Sequence, residues 1–131
     1  MNTMSFPYDL RYMLPICEIR VLGRYARIPA RVLIDSGAEY TILPSSIAVD
    51  AGLDVPPQPN FRIQYGGSQS QGFKIRTYFE IGSDILNADI VYVEEPPQFP
   101  YGLLGRKGVF NRYNEVAFSE RTRNRAVEFR G

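Results

Sequence analysis

Glycine and proline interrupt this sequence so often that long helices have no room to form: 11 Gly and 10 Pro are spread through 131 residues. Each such residue weakens or ends a helix, yet suits a turn between short strands. Hydrophobic residues at 44%, with aromatics at 13%, give the intervening segments the bulk that a half-buried pleated surface needs. Charged residues stand at 22%, a globular value far from the highly charged profile of disordered chains. The expectation is an all-β protein, with residues 1 to 131 forming a single domain.

The missing residue types narrow the chemistry. With no His anywhere, Ser-His, Cys-His and His-metal arrangements are excluded, and zinc sites built from several His or Cys ligands go with them. Cys17 is the only cysteine, so no internal disulfide or redox pair can form, which fits a reducing compartment. Lys74 and Lys107 are the only lysines available as a base. Any catalysis therefore leans on carboxylates, and neither a metal nor another cofactor is expected. The formal charge of +1 gives the whole molecule no strong pull toward nucleic acid. Residues 105 to 131 do hold seven basic side chains against three acidic ones, and a solvated terminal hairpin accounts for them better than a nucleic-acid patch. Asp9 and Arg11 break the start of the chain before an apolar signal region can form, and nothing approaches a membrane span. A soluble, cytoplasmic protein without nucleic-acid or membrane partners is expected.

Along the chain, residues 16 to 22 alternate apolar with polar and end at Gly23, with residues 28 to 34 as their hairpin partner. That second strand finishes in the apolar run Val32-Leu33-Ile34 and meets the polar turn Asp35-Ser36-Gly37-Ala38. Thr41-Ile42-Leu43 follows, then a short helix over residues 47 to 51, with a serine N-cap before it and Gly52 behind. Residues 61 to 65 and 73 to 81 read as the strands of a long hairpin, with residues 66 to 72 as a polar, mobile tip. Residues 88 to 93 form another strand, residues 94 to 100 a proline-rich strap, and Leu103-Leu104-Gly105 leads to Val109, Phe110 and Tyr113 at helical spacing. Residues 116 to 118 and 126 to 129 close the chain as a hairpin. Apolar strand, glycine and helix thus occur twice in succession, which hints at a sandwich of two related halves.

Asp-Ser-Gly alone is ordinary turn sequence. Its flanks are not: Val32-Leu33-Ile34 before it and Thr41-Ile42-Leu43 after it would sink Asp35 at the base of a core strand, where a carboxylate is costly unless used. Three landmarks in order, Val32-Leu33-Ile34-Asp35-Ser36-Gly37-Ala38, the glycine-bounded stretch from 66 to 72 running into Phe73-Lys74-Ile75-Arg76, and Leu103-Leu104-Gly105-Arg106, resemble those of retropepsin-like aspartic proteases. The resemblance covers a core of about residues 14 to 115, followed by a C-terminal hairpin at 116 to 130. The stretch from 42 to 53 looks more like cellular and bacterial members than viral ones. It implies the retropepsin-like acid protease fold, a closed β-barrel or sandwich with a flap hairpin and one or two short helices.

The resemblance also implies roles. Asp35 is the catalytic aspartate of an aspartic endopeptidase. Ser36 ties two active-site loops together, and Gly37 and Ala38 let substrate backbone come close. Gly66, Gly67 and Ser68 belong to a flap over a peptide or protein substrate, and Glu39 contacts substrate backbone. Leu104, Gly105 and Arg106 support the site, Arg106 pairing near Glu39. Tyr40 and Lys107 depart from the acidic or amide side chains of many viral members. A disordered loop is the plain alternative for the hairpin tip, and a surface arginine for Arg106.

Hydrolysis by carboxylates needs two of them, one activating water as base and one donating to the carbonyl. No other Asp in the chain is followed by Ser-Gly or Thr-Gly. A complete site therefore needs a homodimer in which Asp35 meets its copy. Two carboxylates ~3 Å apart at an effective dielectric of ~20 repel by about 5 kcal/mol, which separates their two protonation steps by roughly 4 pK units. One proton is then held from acid to near neutrality, as in aspartic proteases generally. The alternative is a module that keeps the fold and groove to bind peptides or to dimerise, but cleaves weakly or not at all.

Overall fold

The computed structural model describes residues 3–65, 67–94, 101–121 and 123–131. In chain order the strands are β1 (Met4–Pro7), β2 (Ile16–Leu22), β3 (Arg27–Ile34), β4 (Thr41–Pro44), β5 (Phe61–Tyr65), β6 (Ser68–Ile81), β7 (Asp84–Val93), β8 (Gly102–Leu104), β9 (Glu115–Ser119) and β10 (Ala126–Arg130), with the helix α1 (Ser45–Ala51) after β4. Antiparallel β2 and β3 form the first hairpin, and β3 runs parallel to β8 from Val32↔Gly102 to Ile34↔Leu104. The order continues through β4, β7 and β6, and β6 returns to β2 from Ile19↔Ile81 to Leu22↔Tyr78. Six strands thus close a barrel, while β5 extends from the far end of β6. A smaller sheet, ordered β1-β10-β9, lies against it.

Side-chain alternation accounts for these strands. In β2, Ile19 and Val21 point inward while Glu18 and Arg20 face solvent, and β3 repeats this with Ala30, Val32 and Ile34 inside. Pro29 is tolerated because it precedes the part of β3 that pairs with β8, so its missing N–H costs no ladder bond on that side. One large core joins the barrel interior to the small sheet through Val127 and Phe129. A second cluster, of Ile42, Ile63, Val91, Val93 and Leu103 with Leu33, Ala38, Tyr40 and Phe61 against it, packs between the β5–β6 hairpin and the turn after β3.

Several sequence expectations are corrected. The stretch read as a tip is mostly strand: β6 begins at Ser68, which pairs with Tyr65, so the connection is only residues 66 and 67. α1 starts at Ser45 with Pro44 as its N-cap and no serine cap bond, although Gly52 does close it in the left-handed conformation (φ 81). The helix expected over 106 to 113 is a single 3-10 turn, Phe110–Arg112. Gly108 at φ 74 precedes it, and a Cβ there would collide with Ala88. The two apolar segments that end near glycine lie side by side as parallel β3 and β8. Residues 95 to 100 of the proline-rich strap fall outside the described residues.

Candidate functional site

The turn after β3 is built by short-range hydrogen bonds. The Asp35 backbone N–H donates to Leu104 O (3.0 Å), and Asp35 Oδ1 accepts from the Gly37 N–H (2.9 Å). Ala38 N–H donates back to Asp35 O (3.2 Å). The chain then crosses the residues after β8: Arg106 N–H donates to Ala38 O (2.9 Å), Lys107 N–H to Glu39 O (2.8 Å), and the buried Gly105 N–H to Thr41 Oγ1 (3.0 Å). Gly105 is demanded by this crossing, because a Cβ there would fall on the Tyr40 carbonyl. Four hydrogen bonds, from Asp35 N–H to Leu104 O through Gly105 N–H to Thr41 Oγ1, tie the Asp35 loop to the end of β8 and the residues just after it.

Asp35 itself is half-buried, not sunk in the core, because the chain turns outward as soon as β3 ends. Ser36 and Gly37 are exposed, and among the described residues the Ser36 hydroxyl makes no hydrogen bond. Leu104 and Gly105 are buried, while the Arg106 side chain is exposed.

The expected Glu39–Arg106 pairing is replaced. Glu39 Oε1 lies 2.8 Å from Lys107 Nζ, and Arg106 contributes only a weaker charge effect. Backbone bonding of the crossing strands carries Lys107 directly over Glu39, which explains the exchange of partners. The hydrogen bond from Lys107, then its charge, hold the Glu39 carboxyl below its ordinary 4.5; the same hydrogen bond holds the Lys107 ammonium above its ordinary 10.5. Lys107 also donates to the Tyr40 hydroxyl (3.3 Å) and lies 4.8 Å from the Tyr40 ring centre.

Tyr40 continues this cluster toward the hairpin. Its ring meets Phe61 of β5 edge to face at 5.0 Å, and Lys74 Nζ sits 4.7 Å above the Phe61 ring. Asn60 clamps the Lys74 backbone from both sides, accepting its N–H at 2.7 Å and donating to its carbonyl at 3.3 Å. The base of the hairpin is thereby joined to the Asp35 loop through side chains. Gly67 adopts φ 77 with open space around it, Ser68 begins β6, and Gly66 lies outside the described residues. Thr41, fully buried, escaped the sequence reading; its only signal was a hydroxyl opening an otherwise apolar run. Cys17 is no rival nucleophile, since burial pushes its thiol up to about 12. Among the described residues, no helix is long and apolar enough to cross a membrane.

No sequence-family model matches the chain, and no curated protein matches it by sequence. Solved structures do match. A retropepsin-like aspartic protease from Rickettsia conorii aligns with a TM-score of 0.69 at 12% identity, over 98% of this chain and 99% of its own. The EIAV protease, in complex with the inhibitor HBY-793, aligns with a TM-score of 0.58 at 17% identity, over 77% of this chain and 88% of its own. Barrel, crossed loops and structural neighbours together establish that this chain has the retropepsin-like fold.

Proposed function

We propose that the chain is an aspartic endopeptidase whose active form is a homodimer, with Asp35 of each protomer forming the catalytic pair. The observation that carries this reading is the Asp35-Ser36-Gly37 turn, half-exposed at the end of β3 and tied to β8 and the residues beyond it. Structural similarity to the Rickettsia and EIAV proteases supports the same class. In this reading one Asp35 carboxylate takes a proton from water as the water attacks the scissile carbonyl, and the protonated Asp35 of the other protomer donates to the carbonyl oxygen. The proton passes on to the leaving amine as the C–N bond breaks.

The remaining candidates take supporting roles in the same reading. Ser36 contacts the partner's loop; Gly37 and Ala38 leave room for substrate backbone; Glu39 lies along the peptide. Residues 66 to 68 cap the β5–β6 hairpin as a flap, and Leu104, Gly105 and Arg106 hold the loop from behind. An extended peptide pairs its backbone with these edges as an added strand. The expected setting is the cytoplasm.

The test is cleavage of an unfolded protein mixture between about pH 4 and 7, read by mass spectrometry for wild type and Asp35→Asn. Cleavage lost only in the variant is the expected result. No cleavage by a wild-type protein that is folded and dimeric would instead favour a peptide-binding module.

A further inference from the structure

Beside Tyr40 the described residues enclose a polar groove of about 490 Å³, whose walls include Arg76, Asn87, Asp89, Lys107 and Arg112. Its charges do not cancel. Asp89 reaches Arg76 only at 3.6 Å, and Glu39 neutralises Lys107 at 2.8 Å. Arg112 has no ion-pair partner among the described residues, so the groove keeps an uncompensated guanidinium. That guanidinium suits an anion, a carboxylate above all, which it can hold through two parallel N–H donors.

The groove's position says where that carboxylate comes from. Arg76 and Asp89 are register partners on β6 and β7, two residues along from the Lys74↔Val91 pair, so they share the sheet face that carries Val91 and Lys74. That face bears the apolar cluster beneath the hairpin. Tyr40 belongs to the Asp35 loop and also lines the groove. At about 3.3 Å per extended residue, the five residues from Asp35 to Tyr40 span at most about 17 Å. A peptide strand centred at Asp35 covers that distance with about five residues.

Resting on the peptidase reading above, we propose that this groove is a subsite for an acidic side chain of the substrate, an Asp or Glu carboxylate within about five residues of the scissile bond. The ligand is part of a peptide because Tyr40, which lines the groove, lies only five residues beyond Asp35 in the chain.

Peptides that carry Glu or Gln at each position within five residues of the scissile bond test this. Wild type should prefer Glu over Gln at one such position by about twofold to fivefold in kcat/KM, mostly through KM, the size of an exposed charge pair. The preference should shrink in 0.5 M salt and fall to about one in Arg112→Gln. Equal cleavage of Glu and Gln peptides throughout would overturn the subsite and leave the peptidase reading standing. If no peptide is cleaved, fluorescence anisotropy of the same labelled peptides separates the two ideas. Tighter, Arg112-dependent binding of a Glu peptide keeps the groove assignment while the peptidase reading fails; equal binding overturns the groove.

Discussion

Thr41 shows how one hydroxyl holds the candidate site. Its Oγ1 accepts the N–H of Gly105, and both groups are buried, so no water can replace the bond. Thr41→Val keeps the shape and removes the acceptor, leaving a buried N–H unpaired at a cost of about 1–3 kcal/mol. Urea unfolding should report that loss, and Thr41→Ser, which retains the oxygen, should recover most of it. A Thr41→Val protein as stable as wild type would mean that the crossing is held by its backbone bonds alone. Glu39 gives a second prediction at this scale. Because Lys107 depresses its carboxyl below 4.5, the pair's contribution is complete above that ordinary value and disappears as pH falls through the lower, folded value. Lys107 is shifted upward from 10.5, so its side of the pair is complete below 10.5 and lost only above the folded value. An NMR titration of the Glu39 carboxyl should therefore move up in Lys107→Met. No movement would assign the depression to Arg106 instead.

At the scale of elements, one ring of the small sheet gathers three other aromatic rings around it in the core that this sheet shares with the barrel. Phe129 of β10 is fully buried and meets Tyr113 at 5.1 Å, Phe6 at 5.6 Å and Phe110 at 6.0 Å between ring centres. Phe129→Ala empties the meeting point of four aromatic rings and should cost about 3–5 kcal/mol. That is a large part of the 5–15 kcal/mol typical of a small domain, so the denaturant midpoint should collapse. Phe118 on neighbouring β9 is 36% exposed, and its Ala variant should stay within about 0.5 kcal/mol of wild type. Equal effects at the two positions would show that sheet pairing, not ring packing, anchors this layer. The same sheet explains which elements could be read in advance. β2 and β3 were legible because alternation and a close turn define them locally. β1 was not: its four residues alternate weakly, and its partner is β10 at the other end of the chain, with Met4 opposite Phe129. The spacing of Val109, Phe110 and Tyr113 imitated a helix, but a single left-handed Gly108 stops it. At the site, Asp35 and Gly105 were legible as a motif. The choice of Lys107 over Arg106 for Glu39 was not, because it follows from how two loops cross.

At the scale of the molecule, one barrel carries one Asp-Ser-Gly turn, and the chemistry proposed for it needs two carboxylates that share a proton. The dependence on a second copy has a signature that no single-chain enzyme shares. When wild type is mixed with an equal amount of Asp35→Asn and subunits exchange, random pairing leaves about a quarter of the dimers with two Asp35 carboxylates. A mixed dimer has only one ionisable partner and cannot both activate water and protonate the carbonyl. Cleavage per wild-type chain should therefore fall to about half, and continue falling as more variant is added. Dilution of wild type alone should lower its specific activity in the range where sedimentation shows dimers dissociating. If the added variant leaves the rate per wild-type chain unchanged, although exchange is verified by mass-tagged subunits, the active unit is one chain. The paired Asp35 mechanism would then have to be given up, while the retropepsin-like fold would stand.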